Sequence, residues 1–523
     1  MPPKDKHRVP HGAEHYTNKF ELAVVVVCSM AGVLMQALDT TIANVALPYM
    51  QGSMSASREQ ITWVLTSYIV AAAVCTAPVG WLAARFGKKH FLILSLVGFT
   101  ITSVMCGFAQ TLDQMVVFRL LQGAFGAALS PLSQSVMLDL YPLEKRGQVM
   151  AIFGMGIMLG PILGPTLGGY LTDAYDWRWV FFVNVPFGIA ASVGLWLFFK
   201  DNTRNRELQF DWLGFAILGM GVGALQLMLD RGTTKDWFSS DEIMIYAVLA
   251  GLGFYLFIVH MLTSKNTFIP RQVFFDRNLV SGLFLMFEVA AVLLASTALM
   301  PPYLQTLGGR TVTETGLLLG PRGLGTMVAM MIVGRVANKV DSRLLMSGGT
   351  AILAWSLWQM SRWTPDVATS QLLTTTIVQG FGMGMVFVPL QLVAFATLPA
   401  RLRTDGTALM NLIRNVGSAI GVSIITTIVS NSAQILHAQN AAHASPFNRA
   451  LGINGPSLYY DVQLPTGLQM FDGLIQARSA VDAYSNAFLF MFYATLPAFI
   501  IIWMLRRPNL TGEVPKAVEV AAE

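Results

Sequence analysis

The sequence predicts an all-α integral membrane protein of fourteen transmembrane helices, built as two six-helix halves with two further helices inserted between them. Three observations carry that expectation. The 523 residues are 54% hydrophobic and only 12% charged, apolar windows long enough to cross a bilayer follow one another along the chain, and one loop sequence recurs at a corresponding position. Soluble domains carry roughly 25% charged residues, so the solvent for this chain is the bilayer.

A helix needs about 20 apolar residues to cross the hydrocarbon. Windows of that size fall near 21–48, 61–83, 90–109, 114–138, 148–172, 179–199, 213–229, 243–263, 279–305, 314–337, 344–361, 371–398, 406–430 and 484–505, mostly separated by short polar loops. The first twenty residues are polar and basic without the layout of a signal peptide, so the first span is expected to direct insertion. Cys28, Cys75 and Cys106 fall inside spans, where they behave as small apolar residues and not as a disulfide framework.

The formal charge of +5 is distributed by side. With the N-terminus inside, 22 of the 34 Lys and Arg lie in inside segments, 8 in outside segments and four within spans. That asymmetry is the positive-inside pattern; it predicts both termini in the cytoplasm and an even number of helices. Each basic cluster is short and belongs to a loop, which argues against nucleic-acid binding.

The repeat is read from two loops, Gly80-Trp-Leu-Ala-Ala-Arg-Phe-Gly87-Lys-Lys after span 2 and Gly334-Arg-Val-Ala-Asn-Lys-Val-Asp-Ser-Arg after span 10. Spans 1–6 then match spans 9–14, and spans 7–8 are the inserted pair. Duplicated halves around a central site are a common transporter architecture. The expected division is a cytoplasmic tail (1–20), an N-terminal half (21–199), a linker with two inserted helices (200–263), a C-terminal half (264–505) and a second cytoplasmic tail (506–523). The C-terminal half includes one long outside loop, 431–483, with Tyr459, Tyr460 and Phe471; it is either a partly ordered surface loop or a docking site for a periplasmic partner.

Four stretches carry a family resemblance. Span 1 ends in Leu38-Asp39-Thr-Thr-Ile-Ala-Asn44-Val-Ala-Leu-Pro48, span 4 holds Arg119-Leu-Leu-Gln122-Gly123-Ala-Phe-Gly126, span 5 holds Gly160-Pro161-Ile-Leu-Gly164-Pro165-Thr-Leu-Gly168-Gly169, and Trp177-Arg-Trp-Val-Phe-Phe-Val-Asn184-Val-Pro186-Phe-Gly188 follows. Together they resemble the major facilitator superfamily, and within it the fourteen-helix drug:proton antiporters of EmrB type, over nearly the whole chain. The inserted pair, with Asp230-Arg231-Gly232 and Asp236-Trp237-Phe238, is similar to that type as well. The resemblance implies the major facilitator fold and an inner-membrane multidrug pump. Its implied partners are a periplasmic membrane-fusion adaptor of EmrA type and an outer-membrane channel of TolC type. Arg119 matches the family's proton-coupling motif, and Gly80, Gly87 and the span 5 residues from Gly160 to Gly169 match its conformational motifs. One departure stands out: the acidic residue usual in the loop after span 2 is replaced by Ala84, and by Asn338 in the second copy.

A charge at membrane depth is costly and marks a functional candidate. Asp39, Arg119, Glu288, Arg322 and Arg414 are those candidates, and all five fall in core helices. Proton-driven export needs a carboxyl group that alternates between wet and dry surroundings, which selects Asp39 and Glu288, with Arg119 biasing a neighbouring proton site. Asp39 has an alternative role in pinning the outer end of its helix. Arg322 and Arg414 either pair with these acids or attract anionic substrate groups. Gln36, Tyr68, Gln122, Phe387 and Gln391 complete the candidate substrate cavity. The span 5 glycines and prolines are expected to shape the rocking interface, and those around Gly380 and Pro389, flanked by Gln379, to serve packing.

The function these features predict is proton-coupled export of hydrophobic toxic compounds, cationic ones among them, by rocking one half against the other. A narrow exporter of one metabolite or siderophore is the alternative within transport. No Walker-type phosphate loop is visible, so no nucleotide or other cofactor is expected. With no HExxH and no compact Ser/His/Asp grouping at membrane depth, no enzyme is expected either.

Overall fold

The computed structural model describes residues 18–142, 145–200, 205, 207–264, 267–337, 339–442 and 465–506. The two tails up to residue 17 and from residue 507, Asn338, Tyr459 and Tyr460 lie outside the described residues. Among the described residues there is no β-strand.

Among the described residues fourteen helical passages follow in order. They are α1 (Lys19–Ser53), α2 (Trp63–Thr76 and Val79–Phe86), α3 (Lys88–Phe108), α4 (Leu112–Gly126 and Leu129–Leu140), α5 (Arg146–Ala174), α6 (Trp179–Phe182 and Asn184–Phe198) and α7 (Trp212–Arg231). The second set is α8 (Asp241–Thr263), α9 (Arg277–Pro302), α10 (Val312–Val336), α11 (Ser342–Met360), α12 (Thr369–Ala396), α13 (Arg403–Ala442) and α14 (Pro465–Ala494 and Pro497–Met504). Twelve are long and apolar enough to cross a bilayer, and α2, bent by 60° at its break, makes a thirteenth. The 19-residue α11 has the length but is less apolar, because Arg343, Ser347, Ser356 and Gln359 interrupt it.

Local sequence sets the breaks. Pro78 has no N–H to continue the ladder of α2, and its carbonyl instead receives the Leu82 N–H at 2.9 Å. Gly87, at φ +85°, supplies the turn from α2 into α3 that a side chain would strain. A Ser57–Gln60 capping box starts the segment before α2, and a Thr311–Glu314 box starts α10.

Packing partners repeat between the halves. In the first, α1 packs on α5 and α6, α2 on α4, and α3 on α4 and α6. In the second, α9 packs on α13 and α14, α10 on α12, and α11 on α12 and α14. The fold is thus two six-helix halves with α7 and α8 inserted between them. The inserted helices meet through glycine: a Cβ on Gly253 would stand 2.6 Å from the Cα of Gly221. Small residues at such crossings let helix backbones approach closely.

Two expectations need correction. The loop 431–483 is helical at both ends, since α13 runs to Ala442 and α14 begins at Pro465. At 1.5 Å per residue the 40 residues of α13 extend about 60 Å, roughly twice the hydrocarbon thickness, so the pair projects from the membrane. Side chains join it there, with His437 against Asp472 at 2.9 Å and Asn440 Nδ2 donating to Ser479 Oγ at 3.1 Å. The span 5 glycines, in turn, do not lie between the halves. Gly160, Gly164 and Gly168 face Ala37, Thr41 and Ile42 of α1, while a Cβ on Gly169 would meet nothing within 4 Å.

Candidate functional site

Asp39 of the span 1 motif and Arg119 and Gln122 of the span 4 motif meet in one buried cluster of the N-terminal half. Arg119 Nη1 donates to Asp39 Oδ2 at 2.5 Å and to Gln122 Oε1 at 2.7 Å, and its Nε donates to the Val64 carbonyl at 3.1 Å. Gln122 Nε2 returns a hydrogen bond to Asp39 Oδ1 at 2.8 Å and another to Ser103 Oγ at 3.1 Å. Asn184 Nδ2 donates to the same Asp39 oxygen at 3.2 Å and to Ser103 at 3.0 Å. The Tyr68 ring lies 4.3 Å from the guanidinium carbon of Arg119. Five helices of one half thus converge on a single ion pair.

The pair is fully enclosed, with the Arg119 and Asp39 side chains 0% and 1% exposed. Two opposite charges so placed cancel, whereas either alone would be an uncompensated charge in a low dielectric. Arg119 comes seven residues after the start of α4, about 10 Å along its axis, so the cluster lies toward the face opposite the basic loops. Close packing keeps it there: Gly123 sits beneath the Tyr68 carbonyl with no room for a Cβ.

Hydrogen bonds between the halves gather at the basic face. Ser130 Oγ donates to Asn411 Oδ1 at 3.0 Å, Gln134 Nε2 to Gln391 Oε1 at 2.6 Å, Asn411 Nδ2 to Gln134 Oε1 at 3.2 Å, and Thr407 to the Pro131 carbonyl at 3.0 Å. Beyond them Asp139 pairs with Lys88 of its own half and with Arg403 of the other, the latter at 3.0 Å. Two glycines allow a close approach: a Cβ on Gly334 would stand 3.1 Å from the Gly147 carbonyl. The molecule is closed on this face. Asp139 and Asp405, the latter packed on Gly80, place two carboxylates on this face, whereas the loop after span 2 carries Ala84.

The remaining candidates separate. Tyr68 and Gln122 belong to the ion-pair cluster; Phe387, packed toward Gly154, and Gln391 belong to the seam. All four are buried, so none lines an open cavity in this state, a correction to their placement as cavity walls. Gln36, Arg322 and Arg414 are partly exposed. Arg322 crosses to Thr297 Oγ1 and Ser296 Oγ on α9, both at 3.0 Å. Glu288 is not brought to the Asp39 cluster; it faces the backbone of Ala498 on α14. The side chains of Pro161 and Pro165 lie outside the described residues. Ser103 and Asp139 gave no sequence signal, and Asn184 was visible only as a motif member without a role. Among the described residues no group of His, Cys, Asp and Glu could hold a metal ion.

The family model described as Major Facilitator Superfamily matches residues 29–422. The multidrug export protein EmrB of Escherichia coli K12 is 36% identical over 430 residues, 82% of this chain and 84% of that protein. The fatty acid resistance protein FarB of Neisseria gonorrhoeae is 32% identical over 94% of this chain and 97% of its own. Among solved structures the proton:xylose symporter XylE superposes with a TM-score of 0.59 at 14% identity, covering 97% of this chain and 100% of that one, a likeness of fold.

Proposed function

The chain belongs to the Major Facilitator Superfamily, and from that premise we propose that Asp39 is its proton-carrying carboxyl, set against Arg119, in an exporter of hydrophobic small molecules. It is a multi-pass membrane transporter, not an enzyme; its relatives are named multidrug export proteins, and in this reading its export of toxic compounds is driven by exchange for protons. The observation that carries the proton assignment is the enclosed ion pair. A carboxylate that neutralises Arg119 when the cluster is sealed can take a proton only when the cluster is wetted, and proton uptake then frees Arg119 to seek other acceptors. Loss of that tie is what links protonation to movement of α1 against α4.

The membrane is the inner membrane, with both termini in the cytoplasm, so the seam through Asp139 and Gly334 is the cytoplasmic gate. The chain divides as 21–199, 200–263 and 264–505, with the two tails outside. The projecting ends of α13 and α14 then stand in the periplasm, where they dock a membrane-fusion adaptor that leads to an outer-membrane channel. Crosslinking from single cysteines at 434 and 474 should capture the adaptor; a pump that works at full rate with no such contact would stand alone.

The proton assignment is tested in proteoliposomes with an imposed pH gradient. Glu288→Gln should keep coupled efflux within about threefold of wild type, since a carboxyl set against α14 stands apart from the ion pair and distant sites act independently. Loss of coupling in that variant, with Asp39→Asn active, would transfer the proton to Glu288. A panel of compounds in a hypersusceptible host separates broad from narrow export: resistance to a single chemotype marks the narrow exporter.

A further inference from the structure

The C-terminal half repeats the scaffold of the ion-pair cluster but not its charges. Gly123 lies under the Tyr68 carbonyl and Gly380 under that of Arg322; Gly160 packs on Ala37 and Gly417 on Phe287; Gly164 packs on Thr41 and Gly421 on Ala291. These pairs bring Asp39, Arg119 and Gln122 into register with Val289, Thr376 and Gln379. The carboxyl and guanidinium are gone, and the buried Gln379 amide has no partner on either atom among the described residues. The cations of this half stand elsewhere, at Arg322 in the place of Tyr68 and at Arg414 on α13.

Helical phase shows where Arg414 points. On α13, Thr407 and Asn411 bond to α4, while Gly417 and Gly421 face α9. At about 100° per residue Arg414 falls between those two faces, so it is directed into the space between α9 and the N-terminal half, one turn beyond the Asn411 seam. It is partly exposed there and has no hydrogen-bond or ion-pair partner among the described residues. Arg322 lies between the α5-facing Gly323 and the α12-facing Gly325, and among the described residues its guanidinium is held by the two neutral hydroxyls of Ser296 and Thr297. The helix register along α9 sets the two arginines about 18 Å apart in depth, with Arg322 nearer the open side. Neither has a carboxylate partner among the described residues: Asp39 is taken by Arg119, and Glu288 faces α14.

We propose that Arg414, with Arg322 as a second station, binds the head group of an amphipathic organic anion, so that the central space selects carboxylates with apolar tails over cations. An unpaired guanidinium at membrane depth is costly, and a carboxylate arriving in the fork of Arg414 supplies two charge-assisted hydrogen bonds that relieve the cost. The proposal rests on the exporter reading for the location of the substrate, but not for its charge; it replaces the sequence-based expectation of cationic compounds.

The test measures binding of dodecanoate, dodecanol and dodecyltrimethylammonium to the full-length protein in lipid nanodiscs without a proton gradient, corrected for partition into empty discs. Dodecanoate should bind at least about tenfold more tightly than dodecanol, a single charge-assisted contact being worth roughly that factor. R414Q should erase the preference by bringing dodecanoate down to the dodecanol affinity, R414K should keep part of it, and R322Q should weaken dodecanoate less than R414Q does. Equal affinities for the three probes, tighter binding of the ammonium, or a preference that survives R414Q would overturn the proposal. If R414Q does not fold, R414K decides: dodecanoate affinity undiminished from wild type counts against the site. Carboxylate preference without proton-driven transport would sink the exporter reading alone, and proton-driven export of a neutral dye without the preference would sink this inference alone.

Discussion

Asp39→Asn is expected to reduce proton-driven export to the uncoupled background and to destabilise the protein by about 3–5 kcal/mol, the cost of removing one partner of a buried ion pair. The amide keeps an acceptor for Gln122 and Asn184, so the shape of the cluster survives and the loss isolates the charge. Arg119 is then a guanidinium with 0% exposure and no anion. The decisive comparison is Asp39→Asn with Arg119→Gln, which removes both charges. Thermal unfolding in detergent should recover most of the lost stability in the double variant, because a neutral hydrogen-bonded pair carries no desolvation penalty. Export should not recover, since no carboxyl remains in the cluster. A double variant that is again proton-coupled would show that the pair is a static tie between α1 and α4.

Gly334→Leu is expected to hold the basic face open. A Cβ there would already stand 2.8 Å from the Ala151 Cβ and 3.1 Å from the Gly147 carbonyl, and leucine adds three further carbons. Overfilling a tight contact costs about 1–3 kcal/mol, which shifts a two-state equilibrium by roughly 5- to 150-fold. With the native cysteines replaced, a probe cysteine at Gln134 should become that much more reactive toward an impermeant maleimide from the basic face, and export should fall with it. Gly251→Leu on α8, where a Cβ meets nothing within 4 Å, is the control. Labelling unchanged in Gly334→Leu would mean that the α5–α10 contact does not set the gate.

What the sequence made legible follows from the physics of each signal. Hydropathy finds a helix because every residue in it contributes, so fourteen passages and their paired order were readable. Breaks were not, because Pro78 and Pro497 each interrupt a ladder without changing the apolar content around it. The 431–483 segment read as a loop because a helix outside the bilayer is polar, and α13 simply continues past the membrane. Asp39 and Arg119 were legible as costly charges, but their pairing depends on how α1 and α4 are rotated, which no single helix encodes. Ser103 is one hydroxyl among many. The carboxyl at Asp139 sits near a helix end, where an acid attracts no notice until Arg403 is found opposite it.

The inserted helices sit at one of the two seams between the halves. On the side away from the basic loops α7 is tied to α2, where Thr66 donates to Asp230, and to α13, where Ser423 Oγ donates to the Leu229 carbonyl at 3.1 Å; in the turn after α7, Trp237 Nε1 donates to Thr427 Oγ1 of α13 at 3.0 Å. Its partners are therefore the two helices that line the α2–α13 seam, whereas α5 and α10 meet at the other seam with no inserted helix among their packing partners. For a solute dissolved in the lipid the two sides of the molecule are not equivalent. One flank carries the inserted pair between the halves and the lipid, and the α5–α10 flank, where Gly323 packs on Ile162, carries no such cover.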